Sequence, residues 1–197
     1  MDFYKNNINI KYEEYYKNYQ NTSEFIYYNE FVKNREFINI LEKNSKLEIK
    51  SLKNSLYKYF LNSYTFYKTL ELHNVSFYLL NNQEILNMEG SFNDSLTLQI
   101  VKDVIENKKD VEKFKIIGEK VYLIFSKPIF NEKLELLGVI NFEYDFDLLI
   151  TKLSKNNNFR YDYFLSNNLP LDENKIINMK NRQKTSLINH LSKGEEF

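Results

Sequence analysis

The stretch from Val111 to Tyr144, VEKFKIIGEKVYLIFSKPIFNEKLELLGVINFEY, decides the fold. Two apolar runs, Val121–Phe125 and Gly138–Phe142, lie on either side of a proline and a polar turn. Val, Ile, Phe and Tyr dominate both runs, which favours strands over helices. The runs are too short for independent helices, and Pro128 sits where it would damage one. Pro128 is therefore expected at the end of a ladder or at an edge position. Asn131-Glu132-Lys133 reads as the tip of a hairpin. The two runs form the central antiparallel pair of one sheet, and the rest of the chain is packed on that pair or strung from it.

Working outward, 197 residues suit one domain, or one domain with an accessory part, and allow a core without disulfide or metal staples. Hydrophobic residues make up 43% and charged residues 27%, which excludes disorder as the default. The 27 basic and 27 acidic side chains cancel, so the chain has no electrostatic footprint for nucleic acid or for an anionic membrane surface. With no cysteine there is no disulfide frame, thiolate zinc site or cysteine nucleophile. Four glycines are too few for a phosphate-cradling loop. No run of about 18 apolar residues is present to span a bilayer, and no signal peptide opens the chain. Met1 followed at once by a polar segment suits a part cut from a longer chain as well as a cytoplasmic protein.

Upstream, Phe3, Ile8, Tyr12, Tyr15, Tyr16 and Tyr19 recur at near-helical spacing, and Thr22 or Ser23 can cap a new helix. From Ser23 to His73 there is neither Pro nor Gly. Phe37, Ile40, Leu41, Leu47, Leu52, Leu56, Tyr59, Phe60, Tyr67 and Leu70 describe one helical stripe. Continuous from Glu36 to Leu72, that helix would be about 55 Å long; a break near Asn44-Ser45 gives a hairpin instead. A stalk for a dimer and a helix hairpin within one monomer have similar weight. His73-Asn74 is expected to end the helix. Val75–Leu80 and Glu84–Met88 read as a strand pair around an Asn81-Asn82 turn. A helix over Ser95–Lys108 follows, with Asn93 or Asp94 as its cap. After Tyr144, Asp145 or Asp147 caps a short helix Phe146–Leu153, Arg160–Leu165 alternates as a strand, and 171–193 has a weak helical pattern.

Ser76–Leu86 (SFYLLNNQEIL) and Ser126–Leu149 (SKPIFNEKLELLGVINFEYDFDLL), behind a long amphipathic helix, resemble the extracytoplasmic Cache sensor domains, relatives of the PAS fold. Phe159–Asn168 (FRYDYFLSNN) is similar to a segment that follows this module in some such sensors. The resemblance covers roughly residues 30–168. It implies an α+β fold, with a long N-terminal helix or helix pair packed on a PAS-like, mainly antiparallel five-stranded sheet and a C-terminal helical extension. The division it implies is a helical segment 1–72, a sensor core 73–150 and an extension 151–197. A hollow on the far side of the sheet would take the ligand. Such hairpins often aim a basic residue at an anionic ligand. Here Asn87, Glu89 and Ile124 stand at the matching places, which argues against a carboxylate ligand.

Candidate ligand-binding residues are Tyr78, Asn87, Tyr122 and Lys127, whose aromatic bodies and polar groups suit a pocket wall. The bland alternative for each is the wet face of a half-exposed sheet. Asn141 and Glu143 share one face of the last strand, opposite Ile140, Phe142 and Tyr144. Glu143 would meet an amine or cation, or else pair with a surface lysine. His73 could join Glu71 or Glu89 on a metal, but a lone histidine after a helix is more often a cap that suits the dipole. His190 reads as solvated. No nucleophile elbow, Walker loop, zinc motif or Gly-rich fingerprint is present, so no catalytic, metal or cofactor site is expected.

The expected function is that of a ligand-binding sensor domain of a bacterial transmembrane signalling receptor: a chemoreceptor, histidine kinase or cyclic-dinucleotide enzyme. Its partner is a small molecule. It would be extracytoplasmic (periplasmic), tied to the membrane by flanking segments and able to form a homodimer through the N-terminal helix. The alternative is a soluble intracellular interaction protein that uses its tyrosine-rich helices as a binding surface.

Overall fold

The computed structural model describes residues 2–43, 49–90, 95–117 and 120–157. The expected strand at 160–165, the helix at 171–193, His190 and the Asn93/Asp94 cap lie outside the described residues. Helix α1 (Asp2–Tyr27) runs through Thr22 and Ser23 without a break and continues as a π-helical turn, Tyr28–Lys33. Ser23 is no cap: its hydroxyl donates to the Tyr19 carbonyl one turn back. Buried Tyr12, Tyr19, Ser23 and Ile26 form one helical stripe. The π turn adds a residue to the face, so both Glu30 and Phe31 are turned inward.

Helices α2 (Glu36–Lys43) and α3 (Ile49–Lys68) are separate elements. The rings of Phe37 and Tyr59 lie 6.1 Å apart. In one continuous helix those residues would be about 33 Å apart, so the chain doubles back and the 55 Å rod does not form. Helix α3 also ends earlier than expected. Thr69, Leu70 and Glu71 donate to carbonyls three residues back, and Glu71 takes a left-handed φ of 70°. His73 and Asn74 therefore lie inside strand β1 (Leu72–Leu79), not at the end of a helix.

Strand β2 (Glu84–Asn87) returns along β1 after a turn at Asn82, whose φ is 63°. Helix α4 (Ser95–Asn107) crosses to a meander of β3 (Val111–Ile117), β4 (Lys120–Phe130) and β5 (Leu136–Asp145). Every pairing is antiparallel and the strand order is β2-β1-β5-β4-β3, consistent with a PAS-like fold. Asn131 makes the β4–β5 hairpin tip, accepting from the Lys133 and Glu135 amides. Asp145 caps helix α5 (Phe146–Asn157) by accepting from the Asp147 and Leu148 amides.

Pro128 sits opposite Val139 but beyond the last β3 partner, Ser126, so β4 is locally an edge there. The Pro128 carbonyl, with no strand to meet, accepts from the Tyr27 hydroxyl of α1 at 2.7 Å. One face of the sheet, carrying Val75, Phe77, Leu123, Phe125, Ile140, Phe142 and Tyr144, shares a core with α1, α2, α3 and α5. The other face is covered by α4 through buried Thr97, Ile100, Val101 and Val104.

Gly138 lies where β5 passes β1 opposite Leu79. A Cβ there would run into the Tyr78 carbonyl oxygen and come within 2.6 Å of Phe77 Cζ. Gly138→Ala is therefore expected to destabilise the chain by about 1–3 kcal/mol, the usual cost of forcing atoms into a filled core. Urea unfolding measures it, and an unchanged midpoint would refute the close approach.

Candidate functional site

The α4 face of the sheet is built from alternate residues of each strand. On β5 these are Val139, Asn141 and Glu143, and on β4 Tyr122, Ile124 and Ser126, which pair across to them or lie within the same rows. On β1 they are Tyr78, Ser76 and Asn74. The register then slips at His73, so that Leu72 faces Tyr144 while Asn74 faces Glu143. This bulge swings the His73 ring toward the same side, 4.8 Å from the Tyr122 ring. Without it His73 would have had to point away from Asn74's neighbours along a regular strand.

A cavity of about 20 Å³ opens on this face, lined by His73, Asn74, Tyr78, Asn87, Glu89, Gly90, Lys115, Tyr122 and Glu143. That is room for about one water, so the expected hollow is in fact narrow. Within its wall Lys115 Nζ donates to Glu143 Oε1 at 3.1 Å and to Thr97 Oγ1 of α4 at 3.2 Å. The Lys115 and Glu143 side chains are only 3% and 5% exposed. Tyr78 donates to Glu84 at 2.9 Å, and the Asn87 amide donates to the same oxygen at 3.0 Å. Burial first, then the Glu84 charge, pushes the Tyr78 phenol well above its ordinary range. Glu89 accepts from Lys68 at 2.5 Å and from Tyr64 at 2.7 Å, and these bonds hold its carboxyl below the ordinary range.

Of the residues singled out by sequence, Tyr78, Asn87, Tyr122 and Glu143 line the cavity, and Asn141 lies on the same face one pair-row beyond Glu143. Lys127 stands on the opposite face, in the row of Phe77 and Ile140. Its ammonium is paired with Glu24 of α1 and with Asp110, and it lies over the Tyr27 ring. Burial disfavours that charge, but the two carboxylates outweigh it and raise the Lys127 pKa. Glu143 is paired with a lysine, as the bland alternative had it, but both partners are buried rather than on the surface.

Lys115 is the main residue that sequence reasoning missed. It supplies from β3 the cation that Ile124 seemed to deny the site. The alternation of Lys113 and Lys115 with Phe114 and Ile116 was the available signal, but it reads equally as a wet face. Glu71, once weighed as a metal partner of His73, is instead engaged by Tyr19 and Lys152. Among the described residues no cluster of His, Cys, Asp and Glu could hold a metal ion. Among them, too, no helix is long and apolar enough to cross a membrane.

No family model matches the chain, and no curated protein matches it. Several solved structures resemble it. The ligand-binding domain of the Campylobacter jejuni chemoreceptor Tlp3 in complex with L-valine is 14% identical, with a TM-score of 0.40 over 78% of this chain and 66% of that one. The same domain with L-norvaline is 14% identical, with a TM-score of 0.37 over 79% and 64%. The sensory domain of that receptor with isoleucine bound is 14% identical, with a TM-score of 0.37 over 78% and 65%. The chain spans a little under two thirds of the length of these domains.

Burial pushes the His73 imidazole below its usual 6.5, partly offset by Glu143, Asp145 and Glu89. A histidine depressed in the folded state takes up its proton more readily when unfolded, so its contribution is lost as pH falls below the unfolded value. Urea midpoints are therefore expected to drop from about pH 7 to about pH 5.5. His73→Gln should flatten that segment and leave the more acidic one, where Glu89 titrates, in place. An unaltered slope in the variant would remove His73 as the cause.

Proposed function

We propose that the chain is the ligand-binding sensor part of a bacterial transmembrane signalling receptor, and that its small-molecule ligand is held on the α4 face of the sheet. One observation carries this: a lysine–carboxylate pair, buried on both sides, forms part of a cavity wall. Taking two charges out of water costs several kcal/mol per ion, and apolar residues of similar volume would commonly fold as well or better. The pair makes sense where a ligand exchanges with it. The Lys115–Glu143 pair is itself neutral, so a ligand bearing both a cationic and an anionic group can take over both contacts. Its anionic group would meet Lys115 and its ammonium Glu143, as with an amino acid. A ligand that met Lys115 alone would leave the buried Glu143 carboxylate without its lysine. Tyr78, Tyr122 and His73 provide contact area, and Asn87 and Asn141 provide orientation. Lys127, on the far face, has no place in this site.

A ligand of that size needs Lys115, Tyr122 and α4 to move apart, since the closed cavity holds about one water. Its preference for the opened arrangement is what biases the protein. Glu89 in the wall is bonded to Tyr64 and Lys68 of α3, which gives the displacement a route into the helical layer. In this scheme residues 73–150 bind, 1–72 transmit and 151–197 extend the module. Flanking segments tie it to the membrane on the extracytoplasmic side. The exposed stripe of Phe25, Tyr28 and Val32 on the first helix suits a homodimer. The output would be chemotaxis, a histidine kinase or a cyclic-dinucleotide enzyme. The competing idea of a tyrosine-lined binding surface fares less well, because Tyr12, Tyr19, Tyr64 and Tyr67 are turned inward.

Thermal melts with the common L-amino acids test the proposal. At about 100 times Kd a ligand adds about 2.7 kcal/mol, or roughly 5–10 °C for a chain of this length. The double variant Lys115→Met/Glu143→Leu removes both charges together, so it should fold as well as the parent and lose at least about tenfold in affinity. Binding by none of the set, or undiminished binding by the double variant, would defeat the proposal.

A further inference from the structure

Four uncharged polar residues stand in one line across the α4 face. Asn87 of β2 is opposite Ser76 of β1, Ser76 is opposite Asn141 of β5, and Asn141 is opposite Ser126 of β4. At the ordinary strand spacing the line is about 14 Å long. Ser76, Asn141 and Ser126 are each 0% exposed. Among the described residues, Ser126 Oγ, Asn87 Oδ1 and both amide atoms of Asn141 have no hydrogen-bond partner, while the Ser76 hydroxyl is within reach of the Tyr78 phenol. Leaving such an atom unmet costs about 1–3 kcal/mol, and native interiors contain few. Among the described residues all such atoms except Asn82 Oδ1, at the β1–β2 turn, belong to this line. The apolar side chains of Val139, Val111 and, from α4, Val101 and Val104 lie on the same face. Asn87, at one end of the line, belongs to the wall of the cavity. Asn141 also lies two residues from Glu143 on the same strand face, about 6.6 Å along it.

We infer that this line is a second subsite, which takes an uncharged hydrogen-bonding group of the ligand, a carboxamide or a hydroxyl. The placement of the ligand's charged end rests on the function proposed above; the existence of the subsite does not. Hydroxyls and a carboxamide offer donors and acceptors side by side and no counter-charge, so an ion would be poorly met there. A purely aliphatic group would bury all the unmet atoms for good. A carboxamide both donates and accepts, as does Asn141 itself.

Calorimetric titration and thermal melting of the full chain decide the matter, using probes that separate the two ends. Glycine carries the charged end alone, and acetamide the uncharged amide alone. L-asparagine and L-glutamine carry both, and L-leucine replaces the amide with an apolar group of similar size. One of the two amides is expected to bind at least about 100-fold tighter than leucine, because a site built to hydrogen-bond a group rejects the analogue that lacks it. Asn141→Leu should abolish that preference, and Ser126→Ala should leave the response to glycine unchanged. Ser126→Ala, a smaller change that keeps the fold if the first does not, should weaken the amide at least about tenfold and leave leucine alone. Leucine binding as tightly as the amides, or an intact preference in these variants, would overturn the subsite; a surviving glycine response would then leave the charged-end reading standing. If glycine fails while acetamide still stabilises the parent but not Asn141→Leu, the subsite stands and the charged-end reading falls. If the amide probes fail altogether, the line holds ordered water only and the inference is wrong.

Discussion

Strand β5 is bonded along both edges, to β1 and to β4, and its residues from Gly138 to Tyr144 are buried. A strand buried on both faces ordinarily reads as a near-continuous apolar run. This one alternates. Ile140, Phe142 and Tyr144 face the helical layer, whereas Asn141 and Glu143 face α4. That single placement sets the character of each face. The helical side can be a dense aromatic core, with Tyr19 stacked on Tyr144 at 4.5 Å and Phe37 edge-on to Phe77 at 5.1 Å. The α4 side must answer two buried polar groups at the middle of the sheet. Lys115 answers Glu143 from the edge strand β3, and no described residue answers Asn141.

The two faces communicate around the ends of the sheet rather than through it. Beside the cavity, the Tyr64 hydroxyl lies 2.5 Å from the His73 carbonyl and 2.7 Å from Glu89, so α3 is attached to the wall itself. At the opposite edge, Tyr16 and Gln20 of α1 hold Glu112 of β3, and Glu24 holds Lys127 of β4. Glu112 and Lys115 belong to one strand and point to opposite faces. In the proposed function, a shift of β3 driven from the cavity would reach α1 through these short polar contacts. These contacts are directional, whereas the aromatic layer between helices and sheet is not, and a directional tie is what makes a helix follow a strand.

Much of the architecture was legible because it depends on local rules. The alternation in Gly138–Tyr144, the Asn82 and Asn131 turns and the Asp145 cap each have a chemical signature in a few residues. Pro128 as an edge residue was legible too, and the Tyr27 hydroxyl shows how its carbonyl is met. Other features depend on contacts distant in sequence. The turn after α3 contains neither Gly nor Pro, and Glu71 adopts its left-handed conformation only within the packed structure, so His73 read as a helix end. The bulge at His73 then altered which residues share its face. Lys127 is a different case. It lies five residues from Tyr122 on one strand, and an odd spacing already places the two on opposite faces. Lys115 remained hidden because alternation shows that a face is polar, not that a helix will cover it.

In the proposed function, covering that face is what turns a polar strand surface into a selective site. The Lys115–Glu143 contact bridges β3 and β5 across β4, and the same ammonium donates to Thr97 of α4, which ties the helix to the pair. In the proposed function, admitting a ligand separates two charges in a water-poor interior, and losing one partner of such a pair costs about 3–5 kcal/mol. In that scheme a molecule that satisfies only Lys115 leaves the buried Glu143 carboxylate without its lysine and cannot hold the opened form. In the proposed function, selectivity thus comes from the cost of half-satisfying the pair as much as from any attractive contact. The same pair that closes the cavity then decides which molecules can keep it open.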